Sequence, residues 1–197
     1  MAKQKFIALL RGINVTGYNS IAMPELRSLC ADLGWGDIQS YIQSGNLVFK
    51  AGGSAAKLES ALERAIDRRF GLSIPTIVRA AADWPAYVKG NPFPGASQSE
   101  PNHVLLALAK APPKPDAVAE LREWAAGRER VVLAGDALWI HYRSGVGKSK
   151  LTPALLDRLV GSPVTARNWN TVLKLNEMAG LPPPKSMAGD VKQRKAN

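Results

Sequence analysis

Apolar and polar positions alternate along the chain in a helix–strand rhythm that occurs twice. Lys5 to Leu10 is a short apolar run suited to a buried strand, although periodicity alone does not separate it from a helix. Arg11-Gly-Ile-Asn-Val-Thr-Gly17 follows as a loop with two glycines. Pro24 suits the first turn of a helix whose apolar stripe is Leu26, Leu29, Cys30 and Leu33, and Gly34 ends it. Ile38 to Gln43 and Leu47 to Lys50 predict two strands around Ser44-Gly45-Asn46, a hairpin signal. Ser54 can cap a second helix with Leu58, Ala61, Leu62, Ala65 and Ile66 on its inner face, stopping near Gly71. Ser73 to Arg79 predicts a fourth strand. The order is β-α-β-β-α-β, the ferredoxin-like unit.

Asp83 to Ser99 is a Pro- and Gly-containing connector that Trp84, Tyr87, Pro92 and Phe93 should pack down. After it the order returns. Asn102 to Ala109 reads as a strand, and Pro112, Pro113 and Pro115 lead into a helix carrying Val118, Leu121 and Ala125. Arg130 to Leu133 and Ala137 to Tyr142 are strands joined at Gly135-Asp136. Thr152 can cap a helix with Pro153 at its first position, Leu151 and Leu156 have the spacing of a hydrophobic staple, and Gly161 ends the helix. Val164 lies in a short strand, and an added helix spans about Trp169 to Ala179. The fold class expected is therefore α+β: two tandem ferredoxin-like (β-α-β-β-α-β) units with an added C-terminal helix. The expected division is 1–84 for the first unit, 85–100 for the connector, 101–181 for the second unit with its helix, and 182–197 for a flexible basic tail.

The strand from Ala137 sends Leu138, Ile140 and Tyr142 to one face and Trp139, His141 and Arg143 to the other. An open aromatic and basic sheet face could stack bases, as RNA-recognition sheets do. Two such units could instead pack these faces together, which is the reading favoured here.

Charge changes the picture more than overall hydrophobicity does. The chain of 197 residues has a net charge of +10, with +4 in residues 1–90, +3 in 91–181 and +3 from Pro182 onward. Basicity spread in this way favours nucleic acid, a nucleotide or another acidic partner over a neutral one, unless the surface is simply basic and soluble. Cys30 is the single cysteine, so no intrachain disulfide forms, and its helical companions place it in the core. There is no signal-like apolar region at the N-terminus and no run of the roughly 20 apolar residues that spans a bilayer. A cytoplasmic protein with no membrane partner is expected.

The segment His141-Tyr-Arg-Ser-Gly-Val-Gly-Lys-Ser-Lys-Leu-Thr-Pro153 and its continuation Thr165-Ala-Arg-Asn-Trp-Asn-Thr171 is the best place for an anion. Between His141 and Thr171 stand Arg143, Lys148, Lys150, Arg158 and Arg167 against one carboxylate, Asp157. Glycine-rich loops and helix starts present free N–H groups and the positive end of the helix dipole. Gly147-Lys148-Ser149 ends like a P-loop, but Tyr142 occupies the first-glycine position and the surrounding strands are not those of an NTPase. Asn168 is a plausible N-cap, which would set Arg167 beside a helix start. Gly12-x-Asn-x-x-Gly17 departs from the dinucleotide pattern. His103 and His141, the two histidines, have no carboxylate or cysteine at metal-ligand spacing, and no carboxylate pair or nucleophile elbow stands out. The candidate anion-binding residues are Arg11, Asn14, Arg143, Lys148, Ser149, Lys150, Arg167, Asn168 and Asn170; no catalytic residue, metal ligand or cofactor is assigned.

Ala8-Leu-Leu-Arg-Gly-Ile-Asn-Val15, Tyr41-Ile-Gln-Ser-Gly-Asn-Leu-Val-Phe49, Asn91-Pro-Phe93, Gly147-Lys-Ser-Lys-Leu-Thr152 and Thr165-Ala-Arg-Asn-Trp-Asn-Thr-Val-Leu-Lys-Leu175 together resemble a bacterial family catalogued as domain of unknown function 1697. Thr16 stands where that family commonly has glycine. The resemblance implies two ferredoxin-like subdomains and no established activity, substrate or catalytic residue. Three functions stay open: a non-catalytic binder of an anionic ligand, with nucleic acid foremost; an enzyme on a small phosphorylated or nucleotide substrate; and a protein-interaction module.

Overall fold

Two four-stranded antiparallel sheets carry the molecule, and each has a ferredoxin-like strand order. A computed structural model describes residues 3–15 and 17–184; Thr16 and residues 185–197 of the basic tail expected over 182–197 lie outside the described residues. The first unit runs β1 (Gln4–Leu10), α1 (Met23–Asp32), β2 (Gly36–Tyr41), β3 (Asn46–Ala51), α2 (Ala55–Phe70), β4 (Thr76–Ala80). The connector folds into two short helices, α3 (Trp84–Lys89) and α4 (Pro94–Ser99). The second unit runs β5 (Val104–Ala109), α5 (Ala117–Ala125), β6 (Glu129–Ala134), β7 (Ala137–Tyr142), α6 (Pro153–Val160), β8 (Val164–Asn168), and α7 (Trp169–Met178) follows. The sheet orders are β2-β3-β1-β4 and β6-β7-β5-β8, so the two units match position by position.

Local chemistry accounts for the element ends. Ser54 Oγ accepts from the Lys57 amide and Thr152 Oγ1 from the Leu155 amide, each capping its helix, while Gly71 and Gly161 close α2 and α6 in the left-handed region. The first hairpin departs from expectation: β2 starts and ends two residues earlier than predicted, and its turn begins at Ile42, which has a φ of 48°. Gly45 is required there, because a Cβ would sit 2.7 Å from Leu10 Cβ. The second departure matters more. β8 extends to Asn168, so Arg167, which does stand beside the start of α7 as expected, also belongs to a strand.

The molecule is layered helices–sheet–sheet–helices. Phe6, Ala8, Leu10, Leu47 and Phe49 meet α1 and α2 on the outer face of the first sheet. Leu105, Ala107, Leu138, Ile140 and Tyr142 meet α5 and α6 on the outer face of the second. The two inner faces meet each other: Ile7, Leu9, Val48 and Ile77 share one core with Leu106, Leu108 and Trp139. Trp84, Tyr87 and Phe93 of the connector and Trp169, Val172 and Leu175 of α7 complete it. The central strands therefore bury both faces, which is why β5 and β7 read as continuous apolar runs while edge strand β2 is half polar. The base-stacking alternative for the Trp139 face fails for the same reason, since Trp139 is fully buried. Cys30 is also fully buried, and burial pushes its thiol up to about 12, so it is a core group. Among the described residues, no helix is long and apolar enough to cross a membrane.

Candidate functional site

The nine residues singled out in the sequence do not form one site. Arg167 stands opposite Leu106 in the β5–β8 register, and its side chain enters the space between the sheets. All five guanidinium donors are used there. Nε donates to Asn46 Oδ1; Nη1 donates to Thr165 Oγ1 (2.8 Å) and Ala166 O (2.9 Å); Nη2 donates to Leu10 O and Ser44 O, both at 2.8 Å. Three of these acceptors belong to the first unit, so one side chain ties the two sheets together. Burial lowers the guanidinium to about 10, still well above neutrality, so Arg167 remains a cation with no donor left for a ligand.

Arg11 is likewise engaged. Nη2 lies 2.6 Å from Asp157 Oδ2, and Nε donates to Val164 O at 3.1 Å. Asn14, at φ 54°, holds its own loop: Nδ2 donates to Ile21 O and Gln43 O, and Oδ1 accepts from the Ile21 amide. Asn168 caps α7 by accepting from the Thr171 amide (2.9 Å), while its Nδ2 and that of Asn170 both donate to Asn102 Oδ1 at 3.0 Å. Ser149 Oγ accepts from the Leu151 amide. Both helix starts therefore carry their own caps.

What remains is the loop after β7. Gly147-Lys148 sits in a single 3-10 turn, Ser149 is extended, and α6 opens only at Pro153. A P-loop lysine and serine would open the helix directly. Arg143, Lys148 and Lys150 are exposed, and no hydrogen bond or ion pair to another described residue holds their side chains. This loop leaves the sheet beyond the Val104–His141 pair, whereas Arg11 approaches Val164, opposite Ala109 at the other end of β5. Five rises along β5 put about 17 Å between those ends.

Two further features were not legible as sites in the sequence. The first is the segment Glu100–His103, where the connector enters β5. His141 Nε2 lies 2.8 Å from Glu100 Oε1 and His103 Nδ1 lies 3.0 Å from Glu100 Oε2, so both histidines of the chain share one carboxylate. Hydrogen bonds from His141 and His103 hold the Glu100 carboxyl below its ordinary range. An ionised carboxylate only accepts, so each facing nitrogen carries the hydrogen. His141 Nδ1 is then buried without a partner, and His103 Nε2 points toward the basic loop, 3.6 Å from where a Cβ on Gly145 would stand. The spacing of Glu100 and His103 was the available signal; His141 is brought in by the sheet register. Among the described residues, no group of three His, Cys, Asp or Glu could hold a metal ion.

The second feature is a cavity of about 940 Å³ flanked by Val88 and Lys89 of α3, Trp169, Asn170 and Leu173 of α7, and the run Pro182–Pro184. Of the nine candidates, only Asn170 lines it.

The first unit, the connector and the opening part of the second unit match a known family. Its model, described as a protein of unknown function (DUF1697), matches residues 3–139. The chain belongs to the DUF1697 family. Among curated proteins nothing matches it. A solved structure of the conserved bacterial protein SP0830 from Streptococcus pneumoniae is 23% identical to this family member. The match covers 90% of this chain and 99% of that one, with a TM-score of 0.73, so the fold is shared. An unknown protein from Galdieria sulphuraria is 12% identical over 91% of each chain, and its TM-score of 0.27 supports no structural inference.

Proposed function

We propose that this DUF1697 protein is a non-catalytic binder of an anionic ligand, with nucleic acid the favoured class. The loop after β7 is the contact surface. The observation that carries the reading is the contrast in occupancy: Arg11 and Arg167 are committed internally, whereas Arg143, Lys148 and Lys150 are exposed with no partner among the described residues. Flexible cations on an open surface suit phosphates along a backbone, where each contact adds affinity through counterion release and needs no enclosed pocket. The net charge of +10 adds long-range attraction to any polyanion. Filter binding against single- and double-stranded DNA and RNA tests it at about 50 mM salt, where counterion-driven association is strong. Binding that weakens steeply as salt rises is expected; no binding under that condition rejects the reading.

An enzyme acting on a small phosphorylated substrate is the second reading, and the cavity is what favours it. Its volume of about 940 Å³ suits a small molecule. Lys89 would be the cation of such a site in place of the loop residues. Calorimetric titration with nucleotides and sugar phosphates would separate the two, because the small-molecule reading requires saturable heat that Lys89→Ala removes.

A further inference from the structure

We infer that His103 is an additional anion-contacting residue of the loop site, and that Glu100 and His141 make this contact depend on protonation. The inference rests on the anion-binding reading above and extends it.

The geometry assigns each member a part. Glu100 sits between the imidazoles and grips each with a separate oxygen, at 2.8 and 3.0 Å. His141 is buried in β7 and stacks at a tilt against Phe93, with ring centres 5.7 Å apart, so it fixes Glu100 against the sheet. His103 is more exposed, and its Nδ1 faces Glu100, leaving Nε2 for a partner on the loop side. The loop itself is built onto this pair: the Tyr142 amide donates to His103 O, the Gly145 amide to Tyr142 O, and the Lys148 amide to Gly145 O. His103 is therefore at the root of the turn that presents Lys148.

The charge of the cluster is cancelled when His103 is protonated. With both imidazoles neutral, Glu100 leaves a net charge of −1 beside the cationic loop and repels a phosphate. His103 Nε2 is then a lone pair, also unsuited to an anion. His141 Nδ1 is buried without a partner among the described residues, so the added proton goes to His103; the cluster is then neutral, and Nε2 becomes a charge-assisted donor. The other charged groups around the pair are Arg130 and Glu129 on β6, opposite His141 and Tyr142 in register, with Arg143, Lys148 and Lys150 on the loop. The Arg130 guanidinium lies over the Phe93 ring at 5.0 Å. Among the described residues, Glu100 is the one carboxylate within ion-pair distance of either imidazole.

The test is fluorescence anisotropy of the full chain with a rhodamine-labelled oligouridylate at fixed low salt. It compares about pH 8 with about pH 5.5, the interval in which histidine is the side chain that ordinarily changes charge. Binding should tighten about fivefold on acidification, as expected for one added unit charge near phosphates at a solvated surface. His103→Gln should lose most of that gain, and Glu100→Gln should bind more tightly than wild type at the higher pH. Equal affinity of the wild type at both pH values, or an unchanged gain in His103→Gln, overturns the inference while leaving the binding reading intact. No binding by the wild type at either pH removes both.

Discussion

Arg167 and the loop from Arg143 to Lys150 carry the same kind of charge, lie within one stretch of sequence and have opposite roles in the structure. The guanidinium of Arg167 meets five acceptors, three of them on the first unit, and is buried between the sheets. The side chains of Arg143, Lys148 and Lys150 are exposed and meet none among the described residues. A cation is available to a ligand only when its donors are uncommitted, and that is decided by strand register. One more strand residue puts a side chain inside the sandwich; one residue past the strand end leaves it outside. Arg143, immediately after β7, and Arg167, next to last in β8, fall on either side of that limit.

The comparison breaks first at Arg167. Arg167→Met removes five donors and leaves Leu10 O, Ser44 O and Asn46 Oδ1 without their shared partner in a buried setting. A loss of about 3 kcal/mol or more is expected, at about 1–3 kcal/mol for each of the three buried acceptors left unsatisfied. It would be read as a lower urea midpoint. Arg167→Lys should be destabilised as well, because an ammonium cannot reproduce the planar fork. A loss under about 1 kcal/mol in the Met variant would mean that the apolar inner faces alone hold the units together.

The loop should respond in the opposite way. Replacing Arg143, Lys148 and Lys150 together by Gln should leave the urea midpoint within about 0.5 kcal/mol of wild type, since exposed side chains without partners contribute little. Affinity for single-stranded RNA should fall, and the slope of log affinity against log salt should shrink by about 2, near 0.7 per lost phosphate contact. A triple variant as unstable as Arg167→Met would show that the loop is structural and would erase the contrast.

Much of the architecture was legible because both units repeat the same alternation of periods and because caps such as Ser54 and Thr152 and stops such as Gly71 and Gly161 act locally. The ends of β2 were not, since Ile42 adopts a positive φ that its side chain does not advertise. The strand position of Arg167 was missed for a related reason: Thr165-Ala-Arg-Asn is too polar to read as a strand, and only the contacts across to Leu10 and Ser44 explain why a charged residue lies there. Asn102 and Glu100 were overlooked because their partners Asn168, Asn170 and His141 are distant in sequence and meet them only after the second sheet has formed. Local chemistry was readable, and shared acceptors between distant segments were not.

Glu100 lies between the two extremes of the comparison, being half exposed yet bonded to a buried imidazole, and its effect should be the smallest. Its carboxyl is held below the ordinary range by His141 and His103, so ionised Glu100 is favoured more in the folded chain than in the unfolded one. The resulting stability is present above the ordinary glutamate value of about 4.3 and is lost as pH falls through the lower folded-state value. Glu100→Gln should therefore melt slightly below wild type near neutral pH and coincide with it in strong acid, as followed by circular dichroism. If the gap between the two melting points stays constant into strong acid, the carboxylate charge has no part in the stability and only the hydrogen-bond geometry at His141 counts. If the gap closes, charge at a half-exposed position is coupled to the buried layer, and the boundary between committed and uncommitted charge is graded.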